Sequence, residues 1–328
     1  MGKIRAKIIG TGSYTPPKRM TNADFEKIVE TSDEWIRTRT GIKERRFAED
    51  DVAVSDLAVE ACKNAIKSSG LKNEDIDLLV CGTVTPDYRL PSAACIIQEK
   101  MDLPNAVAFD IVSACTGFIN GLSVAASFIE TGQYKNVLVV GAEKLTSIMN
   151  FTDRNTCVLF GDGAGAAVLT GSDDGSGILS TFLRSNGKYR ELLWIPDGGT
   201  AKPIDEGYTF DGSDKVVMNG ADVFKIAVKQ MCDSAVRVVK DAGIDSEQIG
   251  LIIPHQANIR IIEAIAKRLK VSMDKVFVNI EKYGNTSAAS IPIALDEAYE
   301  QGRIKDGDYI LMVAFGGGLI WGSALMRW

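Results

Sequence analysis

The sequence has very little histidine and no closely spaced cysteines. His255 is the only histidine among 328 residues, so any mechanism that requires two histidines is excluded. The six cysteines contain no Cys-x-x-Cys pair, which argues against a zinc site and against a disulfide framework. This pattern indicates free thiols in a reducing compartment. The cysteines are Cys62, Cys81, Cys95, Cys115, Cys157 and Cys232.

Positive charge is outnumbered by negative charge. The chain has 37 Lys and Arg against 43 Asp and Glu and a pI near 5.1, which argues against a general nucleic-acid binder. The first seven residues carry charges where a secretory signal needs an apolar segment, so no signal peptide is predicted. The longest uncharged run, residues 111–129, contains Ser, Thr, Asn and Gly and predicts a buried helix rather than a membrane span. We expect a cytoplasmic enzyme.

Composition and patterning indicate a large α/β protein. Hydrophobic residues make up 45% of the chain and charged residues 24%, which excludes disorder. At this length roughly three-quarters of the unfolded surface can be buried, so the core needs no disulfide or metal. Short β-branched runs alternate with longer amphipathic stretches, as in α/β folds. The predicted strands are residues 6–9, 78–81, 137–140, 166–169, 251–253 and 310–313, and the predicted helices are residues 56–69, 113–131, 223–242 and 259–270.

Two parts of the chain resemble each other at a shift of 173 positions, from Gly70 to Gly243. The matching segments are residues 69–80 with 242–253 and residues 137–140 with 310–313. We therefore predict two similar halves, an N-terminal one at residues 1–171 and a C-terminal one at residues 172–328. Between the matching segments the shift is 170 positions, so that Cys115 aligns with Asn285 in the sequence.

Three residues with reactive side chains lie at predicted element ends. Cys115 begins the predicted helix 113–131, where N–H groups and the macrodipole favour a thiolate, so we expect a lowered pKa. An inert buried cysteine is the alternative. His255 follows a predicted strand, a common catalytic position, and the alternative is a structural histidine. Asn285 can simply cap a helix. If the halves pack about a pseudo-two-fold axis, Cys115 and Asn285 converge and His255 approaches from a strand end.

Glycine-rich segments offer a second kind of candidate. Residues 315–318 (Phe-Gly-Gly-Gly) follow a predicted strand and can expose N–H groups for an oxyanion hole, although a tight hairpin is the plain alternative. Residues 161–165 precede a strand rather than a helix, and residues 10–12 precede two prolines. Neither segment therefore predicts a nucleotide-binding loop.

Basic residues concentrate in two places on this acidic chain. Such clusters can bind phosphates or an acidic partner protein, and a solvated surface is the alternative. Trp35, just ahead of the first cluster, can stack on an adenine or belong to the core. The first cluster contains Arg37, Arg39, Lys43, Arg45 and Arg46, and the second contains Arg260, Lys267, Arg268 and Lys270.

These residues together resemble the β-ketoacyl-acyl-carrier-protein synthase III family, collinearly over essentially the whole chain. The motifs that carry the resemblance are residues 32–36 (Ser-Asp-Glu-Trp-Ile), 114–118 (Ala-Cys-Thr-Gly-Phe), 160–169 (Phe-Gly-Asp-Gly-Ala-Gly-Ala-Ala-Val-Leu), 254–258 (Pro-His-Gln-Ala-Asn), 284–290 (Gly-Asn-Thr-Ser-Ala-Ala-Ser) and 315–318. The resemblance implies a thiolase-like fold of two βαβαβαββ-type halves in five αβαβα layers. It also implies a cytoplasmic homodimer that initiates type II fatty acid synthesis.

The resemblance implies roles for particular residues. Cys115 is expected to accept the acyl group, with His255 and Asn285 completing a triad and the N–H groups of Cys115 and Gly317 forming the oxyanion hole. Leu90 is expected to close the acyl pocket across the dimer, and it replaces a larger aromatic of acetyl-preferring relatives, so primer preference stays open. The expected coenzyme A contacts are Trp35, Arg39, Arg154, Asn258 and Arg260. The expected carrier-protein contacts are Gln256, Ala257, Asn258, Ile259 and Arg260.

The implied reaction needs no metal and no redox cofactor, because the coenzyme A thioester is itself a substrate. An acyl-CoA, acetyl-CoA or another short primer, acylates Cys115, and a decarboxylative Claisen condensation with malonyl-carrier protein follows. The single histidine excludes the elongating condensing enzymes, and the absence of cysteine after Cys232 excludes thiolases. A polyketide starter enzyme, a hydroxymethylglutaryl-CoA synthase, a Cys-His thioester hydrolase and a non-catalytic binding scaffold remain as alternatives.

Overall fold

The computed structural model describes residues 3–328. Its strands are β1 (Arg5–Tyr14), β2 (Lys18–Thr21), β3 (Glu44–Phe47), β4 (Leu78–Gly82), β5 (Val107–Ile111), β6 (Asn136–Glu143), β7 (Gly163–Ser172), β8 (Gly177–Ser185), β9 (Leu193–Trp194), β10 (Val217–Met218), β11 (Ile249–Pro254), β12 (Tyr309–Gly316) and β13 (Ile320–Arg327). Its α-helices are α1 (Asn22–Phe25), α2 (Asp33–Thr40), α3 (Val54–Ser69), α4 (Ala93–Lys100), α5 (Gly117–Glu130), α6 (Gly220–Asp241), α7 (Ile259–Leu269), α8 (Ile280–Tyr283) and α9 (Ser290–Glu300).

Two sheets with the same strand order form the framework. The first has the order β5-β4-β6-β7-β1, in which β4 is parallel to β5 and β6 while β7 is antiparallel to its neighbours. The second has the order β11-β12-β13-β8, in which β11 and β12 are parallel and the other pairs antiparallel. A parallel bridge between Ile252 and Val276 lies beside β11, as β5 lies beside β4. The second sheet thus has the order of the first with its edge strand reduced to one bridge.

Helices cover both sheets and fill the space between them. Buried side chains of α5 and α9 form one core with the inner faces of both sheets. The helices α3 and α4 pack on the outer face of the first sheet, and α6 and α7 pack on that of the second. The α5 sequence carries one charged residue, Glu130, at its end, as a helix buried on nearly all sides requires. The predicted five-layer thiolase-like α/β fold is confirmed.

The segments that lead into α5 and α9 meet closely where small residues face each other. A Cβ built on Gly117 would lie 3.0 Å from the Ala288 Cβ and 3.1 Å from the Gly82 Cα. A Cβ on Gly141 would lie 2.2 Å from the Ala288 carbonyl oxygen, closer than van der Waals contact allows. These glycines permit the start of α5 and the turn before α9 to pack against each other.

The structure extends and corrects the predicted elements. The predicted strand 6–9 is part of the ten-residue β1, while β8 and β13 were not predicted. Their sequences mix Ser, Thr and Gly with apolar residues, and they become strands because they pair within the second sheet. The predicted helix 113–131 begins as α5 only at Gly117. A 3-10 turn, Ala114–Thr116, precedes it.

The strand of residues 163–172 ends one residue past the predicted boundary between residues 171 and 172, and the next strand, residues 177–185, belongs to the other sheet. The division of the chain into two halves at that boundary stays a prediction. Within residues 3–328, no helix has both the length and the apolar character needed to cross a membrane.

Candidate active site

Cys115 lies in the 3-10 turn between β5 and α5. The preceding residue, Ala114, has a φ of 46°, a left-handed conformation that few non-glycine residues adopt and that prevents α5 from starting earlier. A Cβ on Gly316, at the end of β12, would lie 2.7 Å from the Cys115 nitrogen. Glycine is therefore required for the end of β12 to approach the Cys115 backbone.

Two cavities meet at Cys115. The first has a volume of about 430 Å³, and its wall also contains Ser287 and Gly317. The second has a volume of about 110 Å³ and contains Cys115 together with His255 and Asn285. The structure therefore brings the nucleophile candidate, the sole imidazole and the side-chain amide to one cavity. Most of the first wall is apolar and includes Leu145, Ile148, Met149 and Phe160.

His255 follows β11, and its backbone N–H donates to the Val313 carbonyl at 2.8 Å. Its Nδ1 lies 2.6 Å from the Ser290 Oγ, the only side-chain hydrogen bond that His255 makes within residues 3–328. Only 2% of the residue is exposed, and this burial lowers its pKa to about 3. The imidazole is therefore neutral at physiological pH, and no carboxylate of residues 3–328 is hydrogen-bonded to it.

Asn285 is fixed from both sides by its backbone. Its N–H donates to the Leu159 carbonyl at 2.8 Å, and its carbonyl accepts from the Gly161 N–H at 3.0 Å. The Asn285 Oδ1 accepts from the Ser287 N–H at 2.8 Å. Because the amide oxygen is already bonded, the Nδ2 group is the one left to donate into the cavity.

The thiol of Cys115 does not have the lowered pKa expected from a helix N-terminus. Burial raises the pKa of Cys115 to about 12, the Ser287 hydroxyl lowers it, and the Glu143 carboxylate adds to the rise. Cys115 also precedes the first residue of α5 by two positions, and the effect of a helix dipole falls off within the terminal turn. The resting residue is therefore a thiol that must lose its proton to react.

Glu143, which our sequence interpretation did not include, lies at the end of β6. Its Oε2 accepts from the Thr85 hydroxyl at 2.7 Å and from the Thr83 hydroxyl at 3.2 Å. Its Oε1 accepts from the Ser287 hydroxyl at 3.1 Å. Burial raises the pKa of Glu143 to about 7. An acidic residue at the end of the apolar run of residues 137–142 was the sequence signal that could have identified it.

The expected coenzyme A residues meet at the surface around Trp35. The Arg39 guanidinium lies 4.4 Å and the Arg154 guanidinium 5.3 Å from the centre of an indole ring of Trp35. The Asn258 Nδ2 donates to the Arg39 carbonyl at 2.9 Å, and the Arg260 Nη2 donates to the Thr38 carbonyl at 3.1 Å. These bonds connect α2 to α7, and Asn258 also lines the cavity of His255.

The segment expected to contact a carrier protein is only partly exposed. Arg260 is exposed, whereas Ala257, Asn258 and Ile259 are half-buried. Gln256 is buried. Its Nε2 donates to the Pro254 and Phe277 carbonyls, and its Oε1 accepts from the Asn279 N–H. Gln256 is therefore a structural residue and is not placed where a partner can reach it.

Two other expected residues lie in different settings. Gly317 belongs to the hairpin between β12 and β13 and also lines the first cavity beside Cys115, so the hairpin is confirmed and the oxyanion-hole role stays a prediction. Leu90 is 87% exposed and lines neither cavity of this chain. Within one chain, Leu90 does not contribute to the site.

Arg45 is not part of a basic surface. It is fully buried, and its guanidinium donates to the Asn22 Oδ1 at 2.7 Å and to the Val158 carbonyl. No carboxylate within residues 3–328 forms an ion pair with it, and burial lowers its pKa to about 10. The prediction that Arg45 belongs to a basic binding cluster is therefore wrong, since no phosphate or acidic partner can reach its side chain.

Comparisons with known proteins agree over the whole chain. A family model described as 3-oxoacyl-[acyl-carrier-protein (ACP)] synthase III matches residues 109–187, and one described as the C terminal of the same synthase matches residues 239–328. Two similar proteins are the β-ketoacyl-[acyl-carrier-protein] synthase III of Caldanaerobacter subterraneus subsp. tengcongensis, 54% identical over 326 residues, and that of Clostridioides difficile, 52% identical over 324 residues. Each match covers 99% of this chain and 98% of the relative.

A solved structure shows the same similarity in three dimensions. The crystal structure of 3-oxoacyl-[acyl-carrier-protein] synthase III from Aquifex aeolicus is 50% identical in sequence and superimposes with a TM-score of 0.92. The match covers 98% of this chain and 100% of that one. The similarity therefore includes both sheets and every element that surrounds Cys115.

Proposed function

The chain belongs to the β-ketoacyl-[acyl-carrier-protein] synthase III family and is an initiating condensing enzyme of fatty acid synthesis, and we propose that Cys115 carries the primer acyl group. The observation that supports this assignment is the position of Cys115 at the junction of two cavities. The first cavity, about 430 Å³, has the size and apolar wall of a small-molecule site and suits a short acyl chain. The second holds the two hydrogen-bond donors that condensation requires.

Acyl loading is the first half-reaction. The Cys115 sulfur attacks the thioester carbon of a short acyl-CoA, acetyl-CoA or a related primer, and the coenzyme A thiolate leaves. The backbone N–H groups of Cys115 and Gly317, both beside the first cavity, stabilise the charge on the carbonyl oxygen. The cysteine thioester then retains the acyl chain in the first cavity.

Condensation is the second half-reaction. Malonyl-carrier protein loses CO₂, and negative charge develops on its thioester oxygen. The reaction uses the tautomer in which Nδ1 of His255 accepts in its 2.6 Å hydrogen bond with the Ser290 hydroxyl, so that the imidazole proton lies on Nε2 and can be donated to that oxygen. The Nδ2 group of Asn285 is the second donor. The enolate carbon attacks the acyl-cysteine, giving a 3-ketoacyl-carrier protein and free Cys115.

The substrates approach from the surface around Trp35. Trp35 and Arg154 hold the adenine of coenzyme A, which is a substrate rather than a resident cofactor, and Arg39 and Arg260 lie near its phosphates. Arg260 and the adjoining half-buried residues contact the acidic carrier protein. We place the enzyme in the cytoplasm as a homodimer, in which the exposed apolar side chain of Leu90 closes the partner's acyl pocket.

Covalent acylation tests the assignment. Incubation with acetyl-CoA should add an acetyl group to the peptide that contains Cys115, detected by mass spectrometry, and malonyl-carrier protein should remove it. The Cys115→Ala variant should form no adduct. Cys95→Ala is the matched control, because Cys95 is the one cysteine that is not buried, and it should load normally. A wild-type protein without an adduct on Cys115 would contradict the proposal.

A further inference from the structure

Glu143 has no role in either half-reaction described above, although it lies beneath the reactive cysteine. It is fully buried and accepts hydrogen bonds from three hydroxyl groups and from the Val84 N–H at 3.1 Å. No Lys, Arg or His within residues 3–328 forms an ion pair with it. A buried carboxyl that is bonded but not neutralised by a cation is costly to keep charged, and such groups concentrate at functional sites.

Ser287 connects this carboxyl to the cysteine. Its hydroxyl donates to the Glu143 Oε1 at 3.1 Å, and the same hydroxyl lowers the pKa of the Cys115 thiol. Both Ser287 and Cys115 line the first cavity. Ser287 is held at a φ of 49°, which is uncommon for a side chain other than glycine. The Ser287 hydroxyl thus bonds a carboxyl that can accept a proton and lies in the same cavity wall as a thiol that must lose one.

The other ionisable groups nearby do not compete for this proton. The charge of Glu143 raises the pKa of two thiols, Cys115 and Cys81, and Cys81 is buried in the core. The Lys144 ammonium donates to the carbonyls of Glu49, Asp50 and Val52. The imidazole of His255 is bonded to Ser290. Glu143 is therefore the acceptor to which the Ser287 hydroxyl leads.

We propose that Glu143, acting through the Ser287 hydroxyl, takes the thiol proton of Cys115 during acyl loading and returns it after condensation. As the Cys115 sulfur attacks the thioester, its proton passes to the Ser287 oxygen and the Ser287 proton passes to Glu143. Until coenzyme A leaves as a thiolate, the buried site then carries a single negative charge, since two neighbouring buried anions would be far more costly. This inference rests on the proposed role of Cys115 as the acyl acceptor.

The proton balance closes over the two half-reactions. Coenzyme A leaves as a thiolate and takes a proton from solvent, while Glu143 stays protonated under the acyl-enzyme. Condensation consumes the malonyl carboxylate as CO₂, and attack of the enolate carbon breaks the bond between the acyl carbon and Cys115. The released Cys115 thiolate regains its proton from Glu143 through Ser287, which restores the starting state. Glu143 is a positioning and proton-holding residue, and it does not touch the substrate.

Single-turnover acetylation of Cys115, followed by mass spectrometry across neutral pH, tests this relay. In the wild-type enzyme the loading rate should rise as Glu143 loses its proton, near pH 7. Glu143→Gln keeps the shape of the side chain but cannot accept the proton. It should therefore slow loading by ~10²-fold or more and remove this inflection. Ser287→Gly removes the hydroxyl while suiting the positive φ, so the same two changes are expected.

Asp162→Asn is the matched control. Asp162 is also fully buried, and burial likewise raises its pKa, but its oxygens accept from Thr146 and Ala48. The loading rate of this variant should therefore show the same inflection near pH 7 as that of the wild-type enzyme. The relay is refuted if Ser287→Gly or a folded Glu143→Gln retains the inflection, or if Asp162→Asn loses it. Absence of any acetyl group on wild-type Cys115 would refute the proposed function instead.

Discussion

The turn that holds Cys115 and the turn that holds Asn285 both lead into a helix between the sheets and do different chemistry. Each contains a short 3-10 segment, Ala114–Thr116 before α5 and Ser287–Ala289 before α9, whose first residue has a positive φ, 46° for Ala114 and 49° for Ser287. Cys115 lies inside its 3-10 segment, whereas Asn285 lies ahead of its own and directly follows Gly284, which has a φ of 63°. One turn presents a thiol and the other an amide. The comparison shows that two turns of related backbone can hold unlike groups against one cavity.

The two turns differ in which residue types can occupy the position with positive φ ahead of the functional side chain. Gly284 combines its positive φ with a ψ of −153°, a region that essentially only glycine adopts. A Cβ there would also lie 2.7 Å from the Leu159 carbonyl oxygen. Ala114, in contrast, adopts a left-handed conformation although it has a Cβ atom. The backbone of the Asn285 turn is therefore the more constrained of the two. This suits the Asn285 amide, which only has to donate a hydrogen bond from a fixed position.

The largest effect should come from removing the amide of the second turn. Asn285→Ala should slow condensation by ~10²–10³-fold, the usual loss for one oxyanion donor, with a smaller loss of acyl loading because the thiol is intact. Separate assays of Cys115 acetylation and of 3-ketoacyl formation measure the two steps. If both steps fell by the same factor, the difference between the turns would disappear.

A backbone substitution should sharpen the same contrast. Gly284→Ala should lower the free energy of unfolding by at least ~1–3 kcal/mol, since it adds backbone strain and a contact with the Leu159 carbonyl. Ala114→Gly is the paired variant. It should stay within ~1 kcal/mol of the wild-type protein, because relief of left-handed strain and the greater freedom of unfolded glycine oppose each other. Urea denaturation measures both, and equal destabilisation would contradict the comparison.

The smallest effect concerns pH, because buried ionisable groups beside the two turns act in opposite directions. Burial lowers the pKa of His255 from 6.5 to about 3, so stability falls as pH drops through this range. Burial raises the pKa of Glu143 from 4.5 to about 7, so stability falls as pH rises through that range. The contributions of His255 and Glu143 to the pH dependence of stability cancel where the two pH ranges overlap.

Glu143→Gln removes one of these opposing contributions. Its stability should therefore fall toward acid more steeply than that of the wild-type protein, by ~1.4 kcal/mol per pH unit within the overlap. His255→Gln should show the opposite change of slope. Urea titrations at several pH values measure both slopes, and variants with the wild-type slope would show that these groups do not have the assigned pKa values.

Much of the fold could be predicted from the sequence, because buried parallel strands have unbroken apolar sequences. The strands β4 and β6 are buried along their whole length, and both were predicted. The strand β13 was not, since its glycine, serine and terminal arginine give no strand pattern and its pairing with β12 and β8 defines it. At the site, Cys115, His255 and Asn285 were identified from motifs and element ends. Glu143 was missed because its partners lie on other segments.

The sequence by itself determined the α/β class, the repeat and the residues with reactive side chains, because periodicity, composition and motif spacing are local properties. Only the tertiary structure decided the state of those side chains. Burial keeps His255 neutral and Cys115 protonated and places Arg45 and Gln256 out of reach, and the packing of distant segments bonds Ser287 to Glu143 in the cavity wall that also contains Cys115. Protonation depends on desolvation and on neighbours from distant segments, which no local pattern records.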